Sequence, residues 1–155
     1  MDASSQGRAN RRRGADAERA VVRYLRSRGY PDARRYLAGD SMQPGDLDWH
    51  PLFCVEVKDV AASMWPTWCR QALDQCKPGL VPVVVRRERG VSDPGRWECR
   101  VRTISWQAFV GRWMPLTVCS SVDGESWQHL PFSMLVDMVW LLDHPEDCYL
   151  PDGAA

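Results

Sequence analysis

The sequence predicts an α/β domain in the order α-β-β-β-α-β, followed by one more strand and one more helix. Three observations carry this. An amphipathic helical stripe near the N-terminus gives way to short β-type runs separated by turn residues. A second helical run then precedes the continuous apolar stretch Val81 to Val85. The 155 residues, 45% hydrophobic and 26% charged, hold apolar material for one core. That composition excludes a chain disordered throughout. No apolar run approaches the roughly 18 residues of a membrane span. The longest, Phe132 to Leu142, contains Asp137. The N-terminal MDASSQGRANRRRG has no apolar segment and does not read as a secretory signal.

Residues 1–13 are small, polar and basic, and read as a flexible arm. The first helix is expected from Ala15 to Arg28, closed by Gly29-Tyr30-Pro31. At 100° per residue Val21, Val22 and Leu25 form its apolar stripe, and Arg19, Arg23 and Arg26 a separate basic one. Glu18 falls inside the apolar stripe, where a carboxylate needs partners because bare burial is costly. Ala33 to Leu37 reads as a short strand, Ala38 to Gly45 as a loop, and Asp46 to Trp49 as a second strand. After a His50-Pro51 turn, Leu52 to Lys58 reads as a third strand. Phe53, Val55 and Val57 fill one face of it, and Leu52, Cys54, Glu56 and Lys58 the other.

Pro66 to Cys76 reads as the second helix, with proline tolerated in its first turn and Lys77-Pro78-Gly79 as its stop. Val81 to Arg86 suggests a buried strand. Ser92 to Gly95 is a turn, Trp97 to Thr103 a strand, and Ser105 opens a short helix to Trp113. Val122 to Gln128 reads as turn-like. Phe132 to Leu142 reads as a helix that docks on the domain or on a second copy. The chain thus divides into an arm (1–13), a main domain (14–113) and an acidic C-terminal extension (114–155).

The six cysteines form no Cys-x-x-Cys and the three histidines are scattered, so a zinc site is not expected. Reduced thiols in a cytoplasmic protein are the expectation. Net charge is zero, but residues 1–37 carry +6 and residues 120–155 carry −7. Such a gradient suggests a basic surface for a polyanion and an acidic end facing elsewhere. Arginine outnumbers lysine 18 to 2, which singles out Lys58.

The candidate chemistry lies at Asp46, Glu56 and Lys58, with Glu18. A His50-Pro51 connection is short enough for antiparallel pairing, which brings Asp46 near Glu56. Glu56 and Lys58 lie about 6.6 Å apart along one strand face. Two carboxylates at 4 Å repel by about 4 kcal/mol at an effective dielectric of about 20. One lysine does not neutralise three acids, whereas a divalent cation does. All-oxygen ligands suit Mg²⁺ or Mn²⁺, which activates water and stabilises charge on a phosphate oxygen. Lys58 at the rim would orient that water or stabilise the transition state.

The Pro44-Gly45-Asp46 … Glu56-Val57-Lys58 arrangement resembles the PD-(D/E)xK nuclease superfamily. The Ala-Glu-Arg helix, Arg34-Arg35-x-Leu37-Ala38-Gly39, Gly45-Asp46 and Val55 to Lys58 look like archaeal-type Holliday junction resolvases. Among these the sequence is most similar to small versions in phages of actinobacteria. The Asp93-Pro94-Gly95-x-Trp97 turn looks like those proteins too. The resemblance covers about residues 14–110 and makes 14–113 the nuclease domain.

It implies a restriction-endonuclease-like core with a mixed sheet flanked by helices, a homodimer, and Mg²⁺-dependent cleavage of branched DNA such as four-way junctions. It implies Asp46 and Glu56 as metal ligands with the Val57 carbonyl as a third, Glu18 reaching the metal through water, Lys58 assisting catalysis, and Gln71 as an extra polar group. The sequence departs from relatives that continue with more Lys or Arg after the motif, since residues 59–64 have none.

Arg11, Arg12, Arg13, Arg19 and Arg23 suit DNA phosphates, and Arg34 and Arg35 are expected to bind DNA with them. Neutralising about four phosphates gives a salt slope of about −3.6. The tryptophans read as core or interface residues, with Trp65 and Trp68 the ones placed for base stacking or a dimer face. The alternatives are a nickase, flap or restriction-type nuclease of the same fold, a non-catalytic DNA-binding module, and an acidic end that mimics DNA over the basic face.

Overall fold

The protein is described by a computed structural model covering residues 3–36, 44–110, 119–122 and 124–145. The α/β expectation takes the form of a mixed seven-stranded sheet flanked by helices. Its elements are α1 (Ala3–Ser27), β1 (Arg34–Arg35), β2 (Leu47–Asp48), β3 (Phe53–Lys58), α2 (Trp65–Gln75), β4 (Val81–Arg86), β5 (Glu98–Arg102), α3 (Thr103–Val110), β6 (Cys119–Val122), β7 (Glu125–Pro131) and α4 (Phe132–Asp143). The strand order is β1-β2-β3-β4-β5-β7-β6. Among the described residues only β3 and β4 pair in parallel, and the α2 crossover between them makes that connection.

Alternation along β3 sorts the core into two layers. Phe53, Val55 and Val57 join Val21, Val22 and Leu25 of α1, Trp106 of α3, and Phe132, Leu135, Val136 and Val139 of α4. On the other face Trp65, Trp68, Cys69 and Ala72 of α2 pack with Val84, Val122 and Trp127. Trp65 and Trp68 are therefore core residues of the α2 layer, and Arg100 stacks over Trp65 at 4.0 Å.

The structure corrects two expectations. First, residues 3–13 are not an arm: they are the opening turns of α1, which starts at Ala3 rather than Ala15. Ala, Gln and Arg are strong helix formers, Gln6 and Arg13 both donate to Asn10 at helical spacing, and Gly7 and Gly14 each cost only about 1 kcal/mol. Second, the segment expected to turn at 122–128 is a hairpin. Val122 pairs with Glu125, and Gly124 takes φ 80°, a value natural only to glycine. The C-terminal extension packs on the domain, one of the two placements expected for it, and supplies strands of the same sheet. β7 lies between β5 and β6, and α4 buries Phe132, Leu135, Val136 and Val139 in the main core.

The C-terminal helix also closes over the N-terminal one. Arg28 pairs with Asp137, the Tyr24 and Phe132 rings meet at 5.8 Å, and Gly29 has no room for a Cβ, which would sit 2.9 Å from the Trp140 indole nitrogen. The Asp93-Pro94-Gly95 turn forms a single 3-10 turn, with the Asp93 carboxylate accepting from the Gly95 N–H. Gly95 lies against the Tyr24 ring, too close for any side chain. Residues 37–43, which include Leu37, Ala38 and Gly39, fall outside the described residues, as do the expected end of α3 at Trp113 and residues 146–155. Among the described residues no helix is long and apolar enough to cross a membrane.

Candidate active site

The site grows from a glycine. Gly45 takes φ 75°, and a Cβ there would lie 2.6 Å from the Val55 carbonyl oxygen. Only glycine lets the chain approach β3 this closely. The approach seats the next residue: the Asp46 N–H donates to the Val55 carbonyl at 2.7 Å. Its side chain then reaches along β3, where Asp46 Oδ2 accepts from the Val57 N–H at 2.7 Å. Asp46 is thus fixed at both its backbone and its carboxylate. The Leu47–Val55 register makes Asp46 and Glu56 neighbours across the β2–β3 pair.

Glu56 lies on the α2 side of β3 and is 3% exposed. Burial of a carboxylate requires a partner, and Lys58 provides one: its Nζ donates to Glu56 Oε2 at 2.8 Å and to Gln71 Oε1 of α2 at 2.9 Å. Gln71 therefore holds the ammonium from the helix side. Val57 turns its side chain into the opposite core, so only its backbone faces the site.

Glu18 rises with the apolar stripe of α1, as the spacing requires, and is engaged by Arg35 of β1 in a charge-assisted hydrogen bond. Even so paired, it bears on Asp46. Burial above all, then the negative charge of Glu56, and to a lesser degree that of Glu18, push the Asp46 carboxyl up to about 6, against the opposing Val57 N–H and Lys58 ammonium.

Among the described residues no three His, Cys, Asp or Glu side chains form a ready-made metal cage. The donor chemistry nevertheless fits a hard cation. Asp46 and Glu56 are oxygen donors, adjacent in register, and Asp46 is held in an environment that resists its ionisation. A divalent cation would remove that resistance.

Of the arginines expected on DNA, Arg11, Arg12, Arg13, Arg19, Arg23 and Arg34 are exposed and Arg35 is half-buried. Because α1 starts early, Arg8 and Arg12 extend the Arg19, Arg23 and Arg26 stripe along one helix face. Arg19 pairs with Asp16, Arg34 with Asp48, and Arg35 with Glu18. Of the described acidic residues of the C-terminal part, Asp137 is on Arg28, Glu125 on Arg102, and Asp143 beside His50.

The sequence reading passed over Arg86. Register places it directly beside Lys58. A signal was present: β3 and β4 are six-residue runs that both end in a cation. Comparison with protein-family models, curated proteins and solved structures finds no match at the level of significance applied.

Proposed function

We propose that this protein is a metal-dependent, structure-specific DNA endonuclease, similar to Holliday junction resolvases, that hydrolyses phosphodiester bonds in branched DNA on a restriction-endonuclease-like core. One observation carries this reading: Asp46, fixed by Gly45 and the Val57 N–H, lies next to Glu56 in the β2–β3 register, and the Lys58 ammonium is held on Glu56. An arrangement that concentrates negative charge in a poorly solvated place costs stability, and a function explains its presence.

Asp46 and Glu56, with the Val57 carbonyl, would hold Mg²⁺ or Mn²⁺, and Glu18 would reach it through water. When bound, the ion supplies an activated water and neutralises charge on the phosphate. Lys58, aimed by Glu56 and Gln71, donates a hydrogen bond to the phosphate or to the attacking water. The arginine stripe of α1 binds the DNA backbone without reading bases. A homodimer would present two such sites to the two strands of a four-way junction.

The test is cleavage of a synthetic four-way junction, a flap and a linear duplex in Mg²⁺ or Mn²⁺, by wild type and by the Glu56→Ala and Lys58→Ala variants. Lys58→Ala should cut roughly 10²–10⁴-fold more slowly while binding the junction within a few-fold of wild type. Undiminished cutting by either variant ends the site assignment. Preference for the flap or the linear duplex makes the protein a nickase, flap or restriction-type nuclease. DNA binding without cutting of any substrate makes it a non-catalytic binding module.

A further inference from the structure

The β3–β4 pair ends with two cations side by side. In the parallel register Lys58 is opposite Arg86, so both project from the same sheet face, on strands about 4.8 Å apart. Like charges directly opposite in a sheet are unfavourable unless an anion sits with them. Glu56 serves Lys58. Arg86 is served much less well. Among the described residues the one hydrogen bond from its guanidinium runs from Nη2 to the Ala61 carbonyl and is long, at 3.4 Å, and its buried Nε has no partner there. A guanidinium offers five donors in a planar fork that suits two oxygens of one anion.

Its neighbour makes the contrast. Arg87 donates its backbone N–H to the Lys58 carbonyl at 2.8 Å, pairs with Asp59 at 3.1 Å and lies over the Trp97 ring at 5.8 Å. Arg87 is a structural strap across β3, β4 and the following turn. Arg86 has no such engagement, and among the described residues no carboxylate pairs with it.

We propose that Arg86 is a phosphate-binding residue, taking a phosphodiester of the DNA strand beside the Glu56–Lys58 pair. This rests on the nuclease reading for the identity of the anion. It also accounts for the basic residues missing from 59–64: the adjacent strand supplies the cation that the segment after Lys58 lacks. Two neighbouring strand ends then form one anion-binding rim, with Lys58 toward the reacting phosphate and Arg86 toward the next.

The experiment is fluorescence anisotropy of a labelled four-way junction and a labelled duplex in EDTA, across a salt series, with wild type, Arg86→Ala, Arg86→Gln and Arg86→Lys. Circular dichroism and a thermal melt check that each variant folds. We expect Arg86→Ala and Arg86→Gln to weaken binding about 5- to 10-fold near 0.1 M salt and to flatten the salt slope by about one. Arg86→Lys should keep the slope and recover part of the affinity. A purely structural Arg86, needed only to seat the 59–64 loop, would leave the slope unchanged in the Gln variant. That result, or wild type failing to bind either DNA, overturns the proposal. Wild type that binds DNA with the expected Arg86 effects yet cuts nothing in Mg²⁺ or Mn²⁺ ends the nuclease reading instead, and leaves Arg86 as a phosphate contact.

Discussion

The two faces of β3 are built to opposite ends. On one, Phe53, Val55 and Val57 are all buried among apolar side chains of α1, α3 and α4. On the other, Cys54, Glu56 and Lys58 point toward α2, and two of the three carry charge. Burial contributes roughly 25 cal/mol per Å² of apolar surface on the first face. On the second, removing Glu56 and Asp46 from water costs stability that only their hydrogen bonds offset in part. The charged face is tolerated because the same strand is clamped from behind and on both edges, by β2 and β4.

The clamp can be broken directly. Phe53 stacks on Trp49 and touches Trp106. Phe53→Ala should lower unfolding free energy by about 3–5 kcal/mol in urea titrations. A loss below about 1 kcal/mol would mean that the apolar face does not carry the strand.

The converse change on the charged face should raise stability. Asp46 has its folded pKa raised from 3.8 to about 6, so the folded state binds a proton more readily than the unfolded one. Its unfavourable contribution is absent below about pH 4, grows as pH rises through 4 to 6, and is complete above that. Asp46→Asn keeps an oxygen for the Val57 N–H and loses the charge. We expect it to be more stable than wild type by about 1–2 kcal/mol at pH 8 in the absence of divalent ions, with the gain vanishing near pH 4. Urea melts at the two pH values measure this, and a gain equal at both would refute the electrostatic account.

The smallest effect is expected at Gln71. Gln71→Ala removes one of the two groups that aim Lys58. Cleavage should fall about 5-fold, matching about 1 kcal/mol for one hydrogen bond, with little change in thermal midpoint. A fall as large as that of Lys58→Ala would mean that Gln71 does more than orient the ammonium.

Much of the site was legible because its signals are local. The alternation of β3 separates Glu56 and Lys58 from Phe53, Val55 and Val57, and the short β2–β3 connection brings Asp46 alongside. Glu18 was legible as a misfit in an apolar stripe, but its Arg35 partner was not, since that contact joins separate elements. The β7 strand was obscured for a different reason. Trp127 and Leu130 face opposite layers, but Ser126, Gln128 and His129 dilute the alternation, and Gln128 is itself buried. Asp123-Gly124 was the available hairpin signal. The length of α1 was hidden by Gly7, Gly14 and a run of arginines, which suggest a solvated tail yet are compatible with an exposed helix.

The closure of α4 over α1 has a consequence for how the molecule comes to exist. The helix bearing Glu18 leaves the ribosome before the helix that caps its far end through Phe132 against Tyr24 and Asp137 against Arg28. With β7 made after β5 and lodged inside the sheet rather than at its edge, a chain cut short before β7 has neither its complete sheet nor the seat for α1. Assembly of the charged centre is thereby tied to the synthesis of β7 and α4.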